Sequence, residues 1–179
     1  MNHKIKEVLI SKEDITKKCQ ELGNQIDEKY KDYQNAPLFV ALLKGSIPFI
    51  AELVKYIEME IEIDFMDVSS YEGTTSTGNI KILKDLDRSI VDQDIVLVED
   101  IVDTGNTLNN VIDLLYNKGA KSITVVSLLD KPSRRVVEVD VEFVGFKIPD
   151  LFVVGFGLDY NQKFRNLPYI GVLKEEYYI

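Results

Sequence analysis

The fold is decided by residues 94–107, which read DIVLVEDIVDTGNT. The stretch opens with an apolar run of strand length, continues through acidic residues and ends in a turn rich in Thr and Gly. An apolar run without alternation is typical of a strand covered on both faces, as in a parallel sheet. Apolar residues then recur at helical spacing before Gly119, and glycine commonly ends helices. Residues 94–118 therefore predict a strand, a short turn and a helix.

The same order recurs on both sides of that stretch. Residues 38–43 form another continuous apolar run, Lys44-Gly45-Ser46 breaks it, and Pro48 fits the first turn of a following helix. Further strands are predicted at residues 61–68, 122–129 and 143–146. This alternation predicts an α/β fold with a central, mainly parallel sheet flanked by helices.

The first residues show no clear pattern, and His3 lies in a start that looks disordered. Behind a cap at Ser11, apolar residues at helical spacing predict an amphipathic helix over residues 12–34, which ends before Pro37.

Composition narrows the possible functions. The chain has 179 residues, so we expect a single domain over residues 1–179. Its 21 basic and 30 acidic residues give a net charge of −9, which argues against binding to nucleic acid or to anionic membranes. One cysteine, Cys19, and one histidine exclude an internal disulfide, a thiolate zinc cage and most histidine triads. The chain shows neither a membrane-spanning run nor a signal peptide, which predicts a cytoplasmic protein.

The turn after residue 102 has the features of a phosphate site. It leads into a helix N-terminus, where unpaired N–H groups and the helix dipole favour an anion. Thr104 and Thr107 add hydroxyl donors, and Gly105 permits a close approach of the backbone. Residues 94–110 nevertheless hold four acids and no basic residue, and acids repel a phosphate unless they bind neutral hydroxyls or Mg²⁺. The stretch therefore predicts a site for a phosphorylated sugar together with Mg²⁺.

Residues 96–105 resemble the ribose-phosphate signature of the type I phosphoribosyltransferases, which bind 5-phosphoribosyl 1-diphosphate (PRPP). Four further segments resemble the hypoxanthine-guanine branch of that family, and they stand in the same order. They are Leu43-Lys44-Gly45, Ser69-Ser70-Tyr71 with the polar loop behind it, residues 129–132, and residues 143–160 with Arg165. The resemblance implies a small hood built from N- and C-terminal segments over the central sheet, and a homodimer or homotetramer.

The reaction implied by the resemblance is attack of a purine N9 on C1′ of PRPP, which gives IMP or GMP and pyrophosphate. Mg²⁺ and the two small-molecule substrates, PRPP and a 6-oxopurine, are the implied ligands. Glu99 and Asp100 would hold the ribose hydroxyls and the metal. Asp159 would bind a second Mg²⁺ on the pyrophosphate and would also belong to the purine site. The 5-phosphate would lie on Thr104, Gly105, Asn106 and Thr107. Asp103 would be the general acid/base near purine N7, although Asp at this position also suits a helix N-cap.

The same resemblance implies roles for residues outside the signature. Lys44 and Gly45 would form the pyrophosphate loop, in which many relatives have a second glycine where this chain has Ser46. Arg165 would clamp the pyrophosphate. Lys131 would donate to the purine O6, because an ammonium group is only a donor and so disfavours a 6-amino group. The remaining implied contacts are Phe152 stacking on the purine, backbone groups of Val153 at its edge, and Ser70 and Tyr71 opening a mobile loop, residues 69–79, that closes over PRPP.

Two other functions, a PRPP-sensing regulator and a phosphoacceptor receiver domain, fit the sequence less well. A regulator that senses PRPP would be expected to carry basic patches or an added DNA-binding module, and the net charge and the presence of Asp103 and Lys131 argue against it. A phosphoacceptor receiver domain would not explain the Thr-Gly-Asn-Thr turn or Arg165.

Overall fold

The computed structural model describes residues 2–70 and 80–178. The strands are β1 (Ile5–Ile10), β2 (Leu38–Leu43), β3 (Glu62–Ser70), β4 (Ile80–Lys84), β5 (Asp94–Val102), β6 (Ser122–Asp130), β7 (Phe143–Lys147), β8 (Val153–Val154) and β9 (Ile170–Leu173). The α-helices are α1 (Lys12–Tyr30), α2 (Ile47–Leu53) and α3 (Asn106–Asn117). Single turns of 3-10 helix occupy Val54–Tyr56, Pro132–Arg134 and Glu175–Tyr177.

Six strands form the central sheet in the order β4-β3-β2-β5-β6-β7. Every neighbouring pair is parallel except β3 and β4, which are antiparallel at one edge. Leu38 of β2 lies opposite both Glu62 of β3 and Ile95 of β5. The predicted mainly parallel sheet is confirmed, and the carboxyl ends of β2, β3, β5 and β6 meet at the same edge of the sheet.

Alternate residues of β5 face opposite layers of helices. Val96 and Val98 belong to a buried cluster that includes side chains of α1 and α2. Ile95 and Leu97 belong to a second cluster, which includes the buried face of α3. Each fully buried aliphatic side chain contributes about 1.5–3 kcal/mol. Both faces of β5 are covered, which explains why its sequence is continuously apolar.

A second, three-stranded sheet in the order β1-β9-β8 joins the two ends of the chain. Both pairs are antiparallel, and Ile5, Val154 and Leu173 form its buried cluster. This sheet confirms the hood built from N- and C-terminal segments. The disordered start was a wrong prediction: β1 is a strand whose register shifts twice against β9, and these irregularities hide the two-residue alternation in its sequence.

The first helix begins where it was predicted to begin but ends earlier. Asp14 donates its N–H to Ser11 Oγ at 3.1 Å, which confirms the cap. The helix ends at Tyr30 rather than at residue 34, and Tyr33 lies in the turn that follows. The ring of Tyr33 still contacts that of Tyr30, with centroids 4.7 Å apart, so the helical spacing reflected a contact outside the helix. Within the described part of the chain, none of the helices has the length and apolar character that a bilayer crossing requires.

Candidate active site

Three of the predicted site segments begin where strands of the central sheet end. Lys44 follows β2, Asp103 follows β5 and Lys131 follows β6. Val102 lies opposite Asp130 in the register, and Lys131 donates its N–H to the carbonyl oxygen of Val102 at 2.9 Å. Ligands of open α/β sheets bind at the carboxyl ends of the strands. The register therefore brings Asp103 and Lys131 side by side at the edge where a ligand is expected.

The turn between β5 and α3 is held in a shape that requires glycine. Gly105 has a φ of +86°, in the left-handed region that glycine favours, and it is the N-cap of α3. A Cβ at this position would overlap the carbonyl oxygen of Val137. The carbonyl oxygen of Thr104 accepts N–H groups from Val136 at 2.9 Å and from Val137 at 3.0 Å. The segment after β6 thus fixes the backbone of the turn.

The first two residues of α3, Asn106 and Thr107, are exposed. The N–H of Asn106 makes a long contact of 3.4 Å with Thr104 Oγ1. The first N–H groups of a helix have no partner inside it, and they carry its positive dipole end. With the Thr107 hydroxyl, this helix start can donate to a phosphate group.

Asp103 is not the N-cap of α3, because Gly105 occupies that position. The side chain of Asp103 is 40% exposed, and its Oδ1 lies 2.8 Å from Nε of Arg134. That oxygen has no aligned hydrogen-bond donor among the described residues, so the contact is an ion pair. The capping alternative is therefore wrong for Asp103, which leaves its carboxylate directed to the site.

Glu99 and Asp100 form an acidic pair near the end of β5. Burial raises the pKa of Asp100 to about 6. Burial, and then the negative charge of Asp100, raise the pKa of Glu99 well above its usual range. Glu99 Oε2 is buried and has no hydrogen-bond partner among the described residues. A buried oxygen without a donor favours a ligand that brings a hydroxyl or a cation.

The loop after β2 packs tightly against this acidic pair. A Cβ at Gly45 would overlap Oδ2 of Asp100, so a larger residue there would have to displace that carboxylate. A Cβ at Gly157, whose φ is +102°, would in turn overlap the carbonyl oxygen of Gly45. The peptide bond between Leu43 and Lys44 is cis. Two glycines distant in sequence thus bring the turn after β8 against the loop after β2.

Ser46 is accommodated in the loop after β2, where the family often has glycine. It has an ordinary φ of −72° and is completely buried. Its hydroxyl donates to the carbonyl oxygen of Leu42. Ser46 therefore lacks the backbone freedom of a glycine but makes a buried hydrogen bond that a glycine could not make.

Asp159 and Arg165 are paired within the turn after β8. Arg165 Nη2 lies 2.9 Å from Asp159 Oδ1, and Nη1 donates to the carbonyl oxygen of Gly157 at 2.7 Å. Asp159 Oδ2 also accepts the N–H of Gln162 at 2.8 Å. Apart from burial, which dominates, the charge of Arg165 lowers the pKa of Asp100 and the charge of Asp159 raises it.

Lys131 is 7% exposed. Its Nζ donates to the carbonyl oxygen of Leu151 at 2.7 Å and lies 3.9 Å from Asp150 Oδ1. Burial lowers the pKa of Lys131, whereas the nearby carboxylates of Asp103 and Asp150 raise it. An ammonium group has three donors, so two remain for a ligand beside Leu151.

Phe152 and Val153 lie where the hood meets the central sheet. Val153 is in β8, an outer strand of the hood sheet. The Phe152 ring stacks on Tyr178, with centroids 4.6 Å apart and planes 19° apart. Tyr160 meets the same ring edge-on at 5.6 Å. The aromatic predicted to stack on a purine is thus already one member of an aromatic cluster.

Ser70 is the last residue of β3 and lies opposite Ile80, the first residue of β4. Tyr71 and the rest of the predicted mobile loop, residues 71–79, lie outside the described residues. The ends of that segment are therefore adjacent, and β3 delivers it from the carboxyl edge of the sheet.

The acidic pair fits Mg²⁺ in its chemistry, because magnesium prefers carboxylate oxygens and often binds one or two of them together with substrate oxygens. The partnerless Glu99 Oε2 is the observation that supports this fit. Among the described residues, no three His, Cys, Asp or Glu side chains form a metal cage. A cation held here would need oxygens from a bound ligand.

Several residues of the site were missed by the sequence analysis. No role was predicted for Gly157, although it packs against the carbonyl oxygen of Gly45. Arg134 and Asp150 contact the predicted catalytic side chains, and Tyr178 stacks on Phe152. The sequence feature that could have identified them is their position. Each lies within a few residues of a predicted site residue or at the C-terminal end of the hood.

Comparisons with known proteins agree with this geometry. The Phosphoribosyl transferase domain family matches residues 9–161. Hypoxanthine-guanine phosphoribosyltransferase of Bacillus subtilis is 52% identical over 179 residues, covering 99% of this chain and 98% of that protein. The crystal structure of a hypoxanthine phosphoribosyltransferase from Staphylococcus aureus has a TM-score of 0.92 at 51% identity, covering 100% of this chain and 97% of that one. Hypoxanthine phosphoribosyl transferase of Trypanosoma cruzi gives a TM-score of 0.94 at 34% identity, covering 99% and 96%.

Proposed function

This chain belongs to the hypoxanthine-guanine branch of the phosphoribosyltransferase family, and from that premise we propose that it is a purine-salvage enzyme. It transfers the 5-phosphoribosyl group of PRPP to N9 of hypoxanthine or guanine. The N9–C1′ bond forms, the bond from C1′ to the pyrophosphate oxygen breaks, and the purine gives up a ring proton. The products are IMP or GMP and pyrophosphate.

The observation that carries the proposal is the arrangement of three chemical groups at one edge of the sheet. A phosphate-type turn at residues 103–107, a partnerless carboxylate oxygen of Glu99 and a nearly buried ammonium group of Lys131 all follow or end neighbouring strands. Asp103 is the first residue of this turn, and the residue before it, Val102, accepts the backbone N–H of Lys131. A phosphorylated sugar, its hydroxyls and a carbonyl-bearing base match these groups in that order.

The phosphorylated sugar is held by hydrogen-bond donors at its phosphate and by carboxylate acceptors at its hydroxyls. The helix start at Asn106 and Thr107 and the hydroxyl of Thr104 receive the 5-phosphate. Glu99 and Asp100 accept hydrogen bonds from the ribose hydroxyls, which are neutral and so are not repelled by the acids. This division explains how a chain of net charge −9 can bind a ligand with several negative charges.

The pyrophosphate lies against the loop at Lys44 and Gly45. Glu99 and Asp100 would hold one Mg²⁺ and Asp159 a second, and the metal would supply positive charge to offset the charge that the leaving group develops. Arg165 has its guanidinium occupied by Asp159 and by the Gly157 carbonyl oxygen, so its first role is to orient Asp159. A direct clamp on pyrophosphate would use its remaining N–H groups.

The purine lies between Lys131 and the hood. Lys131 donates to O6, Phe152 stacks on the ring, and backbone groups of Val153 contact the edge of the base. Asp103, close to both the turn and Lys131, accepts the proton from N7 as N9 attacks. An adenine amino group would meet a donor at Lys131 and lose this hydrogen bond.

We also propose a closing loop, a cytoplasmic location and an oligomeric assembly. The loop over residues 69–79, which β3 and β4 deliver at the site edge, closes over PRPP and keeps water from the reacting carbon. The enzyme acts in the cytoplasm, in keeping with its one free, buried cysteine. It assembles as a homodimer or homotetramer, which light scattering after size-exclusion chromatography measures.

The experiment that tests the proposal is an assay of pyrophosphate release and nucleotide formation with hypoxanthine. We expect both products in equal amounts, and only when PRPP, Mg²⁺ and the purine are all present. The double variant Glu99→Gln/Asp100→Asn should lose the reaction while remaining folded. Full activity in the presence of a chelator, or no nucleotide under any of these conditions, would contradict the proposal.

A further inference from the structure

Arg134 and Asp150 have no role in the proposed reaction, yet they connect Asp103, the proposed base, with Lys131, the proposed donor to purine O6. Arg134 Nε lies 2.8 Å from Asp103 Oδ1, and Arg134 Nη1 lies 3.5 Å from Asp150 Oδ1. Asp150 Oδ1 is in turn 3.9 Å from Lys131 Nζ. The charges alternate in sign along this row of four side chains, which we name the 103–131 charge row.

The backbone that carries Arg134 is fixed at both ends to the neighbourhood of Asp103. On one side, Lys131 donates its N–H to Val102 at 2.9 Å, and Arg134 donates to Lys131 at 3.1 Å. On the other side, Val136 donates to Thr104 at 2.9 Å. Arg134 is therefore held on a short span that is hydrogen-bonded to the residues immediately before and after Asp103.

Arg134 Nε contacts Oδ1 of the Asp103 carboxylate. Oδ1 is buried, whereas the Asp103 side chain as a whole is 40% exposed, so its exposed surface lies on the rest of the group. A guanidinium on one oxygen limits rotation of the carboxylate and leaves the other oxygen available. Asp150 lies 3.5 Å from Nη1 of the same guanidinium and so gives Arg134 a second anionic partner.

We propose that Arg134 is a positioning residue, which orients the Asp103 carboxylate so that its free oxygen meets the purine ring proton. This inference rests on the proposed function and deepens it. Arginine suits the role because its planar fork can contact two carboxylates at once, whereas lysine offers a point charge. An ion pair between side chains that are 47% and 40% exposed adds little to stability, so the contact is better explained by orientation than by folding.

The test compares Arg134→Gln with wild type in steady-state kinetics. We expect kcat to fall roughly 10-fold, because a small displacement of a catalytic group slows proton transfer, while KM for PRPP stays unchanged. Arg134→Lys should recover part of kcat, and Asp150→Asn should show a smaller loss of the same kind. Arg88→Gln is the matched control, because Arg88 is 41% exposed and pairs with Glu62 at the opposite edge of the sheet.

A second readout separates orientation from general damage to the site. The 8-aza analogue of the better purine substrate has a more acidic ring N–H and so depends less on a base. The loss caused by Arg134→Gln should be smaller with this analogue, as should the loss caused by Asp103→Asn. An equal loss with both purines, or an unchanged kcat, would overturn the inference while leaving the transferase activity established. An inactive wild-type protein would overturn both.

Discussion

Three carboxylates within five positions of β5 and its turn have different surroundings. Glu99 and Asp100 lose hydration to burial, which raises their pKa values. Asp103 is 40% exposed and contacts a guanidinium. Asp103, the proposed proton acceptor, therefore differs from the other two acids in having a partly exposed carboxylate beside a positive charge.

We expect Asp103→Asn to reduce kcat by about 100- to 1,000-fold, because an amide cannot accept the purine proton. KM for PRPP should change little, since the phosphate turn keeps its shape through Gly105 and Thr104. Steady-state kinetics with saturating hypoxanthine measures both. Asp113→Asn, at an exposed acid of α3, is the control, and an unchanged kcat in Asp103→Asn would remove Asp103 from the mechanism.

Asp100 gives a prediction about stability in metal-free buffer. Its pKa is about 6 in the folded protein against an ordinary value of 3.8. At pH 8 the carboxylate is ionised in both states, and its burial costs at most about 3 kcal/mol of unfolding free energy. As the pH falls from 6 to 4, the folded state takes up a proton before the unfolded state does, so the wild type gains stability.

Asp100→Asn removes this titration. We expect the variant to be more stable than wild type at pH 8 and the difference to shrink towards pH 4, as measured by chemical denaturation with a chelator present. Asp113→Asn should show no such trend. A difference that grows as the pH falls would contradict the assigned surroundings of Asp100.

The residues of the site illustrate what a single sequence can predict. Thr104, Gly105 and Lys131 were located because they directly follow recognisable apolar strands. Gly157 could not be recognised, because its need for glycine arises from Gly45, far away in the sequence. Arg134 could not either, since an exposed arginine has no local pattern and its partner Asp103 lies about 30 residues away in the sequence, after β5.

At the scale of elements, the sequence predicted β2, β5, β6 and the helices between them, because their burial is continuous and leaves a continuous apolar run. It missed β1, since two register shifts interrupt the alternation of that strand. The helix α1 begins at residue 12 as predicted but ends at Tyr30 instead of residue 34. Apolar spacing reflects contacts, and the ring of Tyr33 contacts Tyr30 although it lies beyond the helix. Local pattern thus predicts an element where its burial is regular.

The C-terminal 3-10 turn brings Tyr178 onto Phe152, and this contact gives a prediction at the same scale. Removing the ring in Tyr178→Ala frees Phe152 and should raise KM for the purine about 2- to 10-fold, the range of one stacked pair. KM for PRPP should not change. Tyr177→Ala is a matched control, because that ring contacts His3 and Lys4 instead, and equal effects of both variants would contradict a specific role for Tyr178.

The proposed loop over residues 69–79 is tested by hydrogen exchange. We expect exchange in this segment to slow when PRPP, Mg²⁺ and an unreactive purine analogue are bound together, because the closed loop excludes water. The buried face of α1 provides the internal control. Equal exchange with and without the ligands would count against closure.

At the scale of the whole molecule, the site lies between two sheets. The central sheet supplies the phosphate turn, the acidic pair and Lys131, and the hood supplies Phe152, Val153 and the aromatic cluster. Contacts between Gly45 and Gly157 hold the two parts together beside Asp100. Sequence patterns predicted the central sheet and the family resemblance implied the hood, but the contacts between them depend on long-range packing that no local pattern records.

This placement sets the base that the enzyme accepts, because Lys131 comes from the sheet and the stacking ring from the hood. The most direct test of this base preference is a side-by-side measurement of kcat/KM for hypoxanthine, guanine and adenine, each with PRPP and Mg²⁺. We expect hypoxanthine or guanine to exceed adenine by at least about 100-fold, since only a 6-oxo group accepts from the ammonium donor. Adenine used as well as or better than both 6-oxopurines would contradict the account.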